Sequence, residues 1–196
     1  MLSEQRTLTS AHLFCGGGGD TDGAARAGLR PLWGVESDRY AAAVFRQRFS
    51  ETMLVEADVK TLSDEFVRSL PISDLFIFGS PCPDFSTAGH RAGIDGAHGS
   101  LFFEGLRFLR LKKFKAFIFE NVQGIFSSGN GDDFRKVISA FGELGYVGTW
   151  QLRNGRRWVP QSRARVFIVG HLREYPVPQS GTKQAHIARL FGQLQS

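Results

Sequence analysis

Ala11-His12-Leu13-Phe14-Cys15-Gly16-Gly17-Gly18-Gly19 is a short, mostly apolar run that stops in four glycines. A strand that ends in glycines and feeds a helix is how an open α/β sheet brings backbone N–H groups up to a ligand. Alone the run is ambiguous. Glycine-rich loops bind dinucleotides, phosphates or nothing, and this one lacks the Lys-Ser/Thr ending of a phosphate-binding loop. Glu36 sharpens it, standing about twenty residues beyond the glycines at the end of a second apolar run, where an acid suits the two hydroxyls of a ribose. Asp58, after a third short run, is placed to accept from an adenine amino group. Each acid serves equally well as a helix cap or a surface charge.

Outward from this unit the chain alternates. Strands are expected at 11–15, 32–35, 53–55, 75–78 and 116–120, with helices after the glycines, at 38–49 behind an Asp38 N-cap, at 63–70, 101–111 and 132–144. Gly28 and Gly145 mark helix ends. The segments 148–152 and 166–170 read as a final antiparallel pair flanking an arginine-rich stretch. The pattern implies an α/β fold with a mostly parallel, Rossmann-like sheet closed by a C-terminal antiparallel strand pair. One domain is expected over 1–171, with 172–196 as a tail carrying a short helix at 186–194. Residues 80–100 hold several glycines and prolines and no apolar period, the signature of a long loop.

Two reactive side chains follow strands. Cys82 lies in Gly79-Ser80-Pro81-Cys82-Pro83-Asp84, directly after Leu75-Phe76-Ile77-Phe78, and Glu120-Asn121-Val122 ends the run Phe117-Ile118-Phe119. A thiol on one loop and a carboxylate on the next suggest covalent catalysis with a general acid. The bland alternatives are a buried small hydrophobe for Cys82, a strand-end carboxylate for Glu120, a turn former for Asn121 and surface charges for Arg163 and Arg165. The prolines on both sides of Cys82 argue that it belongs to a loop.

Composition narrows the class. With 196 residues, 42% of them apolar, the chain has room for one sizeable core. No apolar run approaches the ~18 residues of a bilayer span, so the expectation is a cytoplasmic protein with no membrane partner. Its two cysteines, Cys15 and Cys82, are expected to be free thiols. The eighteen phenylalanines, Phe14 excepted, are expected to pack the core. A net charge of +5 is compatible with a polyanion. Arg107, Arg110, Lys112, Lys113 and Lys115 read as a solvated helix face, whereas Arg153, Arg156, Arg157, Arg163 and Arg165 surround Trp158 close to the reactive pair, where a phosphate or base contact is expected.

Taken together these pieces resemble the DNA cytosine-5 methyltransferases, which use S-adenosylmethionine. The matching segments occur in the family's order: 13–19, Glu36, Asp58, the Pro81-Cys82 loop, Gly99-Ser100-Leu101-Phe102-Phe103-Glu104, Glu120-Asn121-Val122, Leu144-Gly145-Tyr146 and Pro160-Gln161-Ser162-Arg163-Ala164-Arg165. The resemblance implies that Cys82 attacks carbon 6 of a cytosine flipped out of DNA, that Glu120 acts on ring nitrogen 3, and that Asn121 orients the acid. It gives Arg163 and Arg165 the ring carbonyl and the cysteine loop. It places Phe14, Gly16, Gly17 and Gly19 around the methionine moiety and adenine, Glu36 at the ribose, Asp58 at the adenine amino group, and Pro81 and Leu101 on the pocket wall, with Cys15, Ser37 and Val59 also among the cofactor-binding residues. No metal is expected.

The departures are specific. The family usually has Asp where this chain has His12, which removes an acidic group near the methionine moiety. It has Gln in place of Pro83, and Asp-aromatic-Gly in place of Arg156-Arg157-Trp158. Members also continue with a target recognition domain and a Gly-Asn-Ser segment that completes the pocket. The expectation is therefore a catalytic half whose recognition domain is supplied by a second subunit. A self-contained enzyme acting on free cytidine or deoxycytidine nucleotides, and a non-catalytic protein that keeps the fold, are the alternatives.

Overall fold

The computed structural model describes residues 6–80 and 99–175. Pro81, Cys82, Pro83 and the expected helix at 186–194 lie outside the described residues. Among the described residues seven strands form one sheet: β1 (Thr9–Leu13), β2 (Arg30–Glu36), β3 (Met53–Glu56), β4 (Leu75–Phe78), β5 (Ala116–Val122), β6 (Tyr146–Asn154) and β7 (Ala164–Leu172). Their order is β3-β2-β1-β4-β5-β7-β6, parallel as far as β5 and antiparallel at β5–β7 and β7–β6. Strand order reverses between β1 and β4, the switch point at which open α/β sheets bind ligands beyond the strand carboxyl ends.

Among the described residues five α-helices cover the sheet: α1 (Gly19–Arg26), α2 (Arg39–Arg48), α3 (Asp64–Ser69), α4 (Gly99–Lys112) and α5 (Asp132–Glu143). Strand alternation divides the side chains. Ala11, Leu13, Phe76, Phe78, Phe117 and Phe119 share one core with residues of α3, α4 and α5. Leu75, Ile77 and Ala116 point the other way and pack on Ala24 of α1 and Leu29 behind it. The first core is aromatic: Phe76 stacks on Phe114 at 4.6 Å, and Phe117 stacks on Phe141 at 4.2 Å. Each fully buried phenylalanine contributes roughly 1.5–3 kcal/mol over an exposed one. Phe66 and Phe103 depart from the expectation, being exposed on helix surfaces.

Local signals account for the helix ends. The Asp38 carboxylate accepts from Tyr40 N and Ala41 N, each at 2.8 Å, as the N-cap of α2. The first strand stops at Leu13, two residues earlier than its apolar run, because Phe14 turns into the left-handed region at φ 59°. The helix before Lys112 starts at Gly99, earlier than its apolar period.

One expectation about charge is corrected. Arg107 pairs with Glu104 at 2.7 Å and Asp64 at 2.8 Å and donates to Val59 O. Lys112 donates to the carbonyls of Arg68 and Leu70, and Lys115 pairs with buried Asp74 at 3.1 Å. This basic cluster ties α3, α4 and β4 together, so it is not simply a solvated face.

Candidate active site

The described candidate residues converge on one rim, formed by the carboxyl ends of β1 to β5 and the start of β7. After Leu13 the chain descends through Cys15, whose N–H donates to Val35 O at 3.2 Å, then rises through the glycines. Gly18 caps α1 at φ 85°, and a Cβ there would sit 2.2 Å from Phe49 Cε2, so neither the backbone nor the packing admits a side chain. The Cys15 thiol points into the core, where a Cβ on Gly34 would lie 2.8 Å from its sulfur. Burial pushes that thiol up, and Asp20 and Glu36 push it further, so Cys15 is a neutral packing group.

Glu36 knits the rim. Its Oε2 accepts from Gly16 N at 2.8 Å, and Oε1 accepts from Ser37 N at 2.9 Å and Asp38 N at 2.8 Å. Asp58 caps the short 3-10 turn Val59–Thr61, accepting from Lys60 N at 3.0 Å. Capping does not use up either acid. An ionised carboxylate offers about four acceptor positions, and these bonds leave capacity on both acids. Between them opens a cleft of about 380 Å³ lined by Phe14, Glu36, Ser37, Asp58, Val59 and Leu101. Two acids over apolar walls fit an adenosine: hydroxyls and an amino group to donate, a flat ring to bury. Cys15, Gly16, Gly17 and Gly19 stand behind this lining, tied to it through the bond from Gly16 to Glu36.

The second half of the rim is built from side chains. Arg165 Nε donates to Glu120 Oε1 at 2.8 Å, and Arg163 Nη2 stands 3.8 Å from the same oxygen. Register explains the contact: Val122 faces Arg165 and Glu120 faces Phe167, so Glu120 and Arg165 are diagonal neighbours on one face. Burial raises the Glu120 carboxyl above its ordinary range; the two arginines oppose the shift and the Asp20 charge adds to it. A carboxyl held protonated more readily than usual is suited to act as an acid. Asn121 projects from the opposite face, buried, and its Oδ1 accepts from Val122 N at 2.8 Å. The two halves meet at Gly79, where a Cβ would stand 3.0 Å from Glu120 Oε2.

Sequence reasoning singled out His12 but not its partner, Asp20. His12 is fully buried, with Nε2 2.9 Å from Ser10 Oγ and Nδ1 2.9 Å from the Asp20 carboxylate. An acidic group therefore does stand beside His12, contributed by α1, and its field reaches Glu120. The signal available for it is an acid placed directly after four glycines, at the start of the helix that follows them.

A family model described as C-5 cytosine-specific DNA methylase matches residues 8–191. The chain is 33% identical over 183 residues to the type II methyltransferase M.Bsp6I of Bacillus sp. (strain RFL6), covering 88% of this chain and 57% of that protein. It is equally 33% identical to the type II methyltransferase M.HaeII of Haemophilus aegyptius, covering 90% of this chain and 55% of the relative. The chain thus spans a little over half the length of these relatives. Among solved structures it superposes on an E. coli prophage-encoded protein described as a DNA modification methyltransferase, with TM-score 0.73 and 25% identity over 89% of this chain and 49% of the other. A mutant DNMT2 of Spodoptera frugiperda shares the fold at TM-score 0.70 and 20% identity, over 90% of this chain and 54% of that one. Among the described residues no helix is long and apolar enough to cross a membrane.

Proposed function

The chain belongs to the C-5 cytosine-specific DNA methylase family, and from that membership we propose that it transfers a methyl group from S-adenosylmethionine to carbon 5 of a cytosine in DNA. The observation that carries this reading is Glu120, a carboxyl raised by burial, gripped by Arg165 and flanked by Arg163, at the edge of a cleft suited to adenosine.

Bound in that cleft, S-adenosylmethionine supplies an electrophilic methyl carbon on a positively charged sulfur. Glu36 would hold the ribose hydroxyls and Asp58 the adenine amino group, with Phe14, Val59 and Leu101 on the walls of the cleft. The target cytosine leaves its stack, since neither ring face is reachable within a duplex. Carbon 5 of cytosine is a poor nucleophile until carbon 6 is saturated. Cys82, three residues beyond Gly79, adds as thiolate to carbon 6, forming a C–S bond, while Glu120 gives its proton to nitrogen 3. Carbon 5 then takes the methyl carbon, whose bond to the sulfonium breaks. Loss of the proton from carbon 5 to a base re-forms the ring double bond and expels Cys82 with the sulfur's electron pair. Glu120 recovers its proton from nitrogen 3. Arg165 and Arg163 hold the Glu120 carboxyl in place and offer donors to the ring carbonyl.

An oligonucleotide carrying 5-fluorocytosine tests the reading, because fluorine at carbon 5 blocks the final elimination. With S-adenosylmethionine the full chain is expected to form an adduct that survives denaturing electrophoresis, and Cys82→Ala to form none. Absence of an adduct, together with binding of S-adenosylhomocysteine by calorimetry, overturns the proposed chemistry while leaving the cofactor site. Methyl transfer to deoxycytidine nucleotides but not to DNA would replace the substrate.

A further inference from the structure

The turn joining β6 to β7 is a preformed platform. Asn154 pins both of its ends: Oδ1 accepts from Arg156 N at 3.1 Å and Arg163 N at 3.2 Å, and Nδ2 donates to Ser162 Oγ at 3.3 Å. Gly155 N donates to Arg163 O at 3.0 Å, and Trp158 N and Val159 N fold back onto Gly155 O at 2.9 and 3.0 Å. On this frame Trp158 stands 67% exposed beside Val159. Arg156 and Arg157 are exposed next to it. Among the described residues no carboxylate pairs with either arginine and no ring stacks on Trp158.

The charge nearby is unbalanced. Arg153 lies directly across from Arg165 on the β6–β7 ladder, an arrangement in which like charges repel. Its Nη2 donates to Gln151 at 2.6 Å, and its buried Nε has no hydrogen-bond partner. Glu120 is the carboxylate that Arg163 and Arg165 share, and it leaves Arg153, Arg156 and Arg157 uncompensated. An external polyanion would relieve this repulsion, and bare guanidiniums interleaved with an indole match phosphates and a base face.

Position selects the ligand. Glu120 faces Phe167, and the turn begins beyond Ala164. Arg163, where the turn meets β7, reaches to 3.8 Å from Glu120, and a free nucleotide seated there has no flanking phosphate or neighbouring base to offer Arg156, Arg157 and Trp158, whereas a strand has both. We propose that this turn grips the DNA strand carrying the target cytosine: Arg156 and Arg157 take flanking phosphates, and Trp158 stacks on an unpaired base beside the cytosine. The proposal rests on the cytosine methyltransferase reading and adds the surface that holds the substrate strand.

Fluorescence anisotropy of the full chain with a labelled single-stranded DNA 12-mer containing one cytosine tests it, across a salt series. The double variant R156Q/R157Q is expected to flatten the plot of log affinity against log salt by about 1.4, two phosphates at about 0.7 each. Trp158→Ala is expected to weaken single-strand binding about tenfold, with most of it restored by Trp158→Phe. The same loss should be absent for a fully paired duplex. Calorimetry with S-adenosylhomocysteine should be unchanged in all variants, which shows that they fold. An unchanged salt slope, or Trp158→Ala binding like the parent, overturns the proposal; tighter binding to RNA of the same sequence overturns its assignment to DNA. A parent that binds S-adenosylhomocysteine but not DNA overturns it while the cofactor site stands. Strand binding that depends on these residues without cofactor binding or adduct formation upholds the surface and removes the enzymatic reading.

Discussion

The cleft beside β2 and the rim on β5–β7 handle charge in opposite ways. In the cleft, Glu36 is held by three backbone N–H groups and Asp58 by one, so the acids are oriented by the loops they terminate. On the rim, Glu120 is held by the Arg165 side chain of β7, with Arg163 of the turn before it close by, and that strand reaches Glu120 only through the sheet. Backbone donors hold an anion in a fixed place for a ligand that arrives and leaves unchanged in outline. Side-chain partners in a partly buried site instead tune how readily the carboxyl keeps its proton. The first arrangement suits recognition and the second suits chemistry.

The largest effect that could break this contrast is Glu120→Gln. It removes the transferable proton while keeping the shape, so methyl transfer to an oligonucleotide is expected to fall by about 10²- to 10⁴-fold. Affinity for S-adenosylhomocysteine, measured by calorimetry, should hold. Equal loss of both would mean that the two halves are one unit.

Glu36→Gln should show the converse. The amide presents a donor toward N–H groups that need an acceptor, a loss of about 1–3 kcal/mol. The expected readouts are roughly tenfold weaker S-adenosylhomocysteine binding and a lower urea midpoint, with 5-fluorocytosine trapping retained at saturating cofactor. Trapping lost beyond rescue by cofactor would erase the distinction between recognition and chemistry.

The smallest effect is in pH dependence. Burial raises the folded-state carboxyl of Glu120 above its usual 4.5, so its protonated form is favoured by folding. The associated stability is complete below the unfolded value and is lost as pH rises through the raised one. Urea unfolding of the parent and Glu120→Gln should therefore diverge upward from about pH 4.5, with the parent losing ground. Parallel curves would show that Arg165 fully offsets burial.

Much of the cleft was legible in the chain because its parts are local. The β1–glycine–α1 unit, the Asp38 cap and acids placed at strand ends depend on neighbours within a turn or two, and such signals survive in a linear pattern. The aromatic core was legible for the same reason, since its phenylalanines alternate along strands. The roles of Arg107 and Lys115 were not legible, because a charge in or just after a helix looks the same in sequence whether it faces water or a partner such as Asp64 of α3 or Asp74 before β4. His12 was read as a lost acid because Asp20 becomes its neighbour only when α1 folds back against β1.

Residue order alone therefore determined an α/β sheet, its glycine loop and the acids that edge a nucleoside-sized cleft, since backbone propensity and apolar period suffice for these. Tertiary structure decided that β7 enters between β5 and β6. That insertion is settled by which faces of distant strands bury one another, and no local pattern encodes it. It is what carries Arg163 and Arg165 to Glu120 and leaves Arg156, Arg157 and Trp158 standing beyond them.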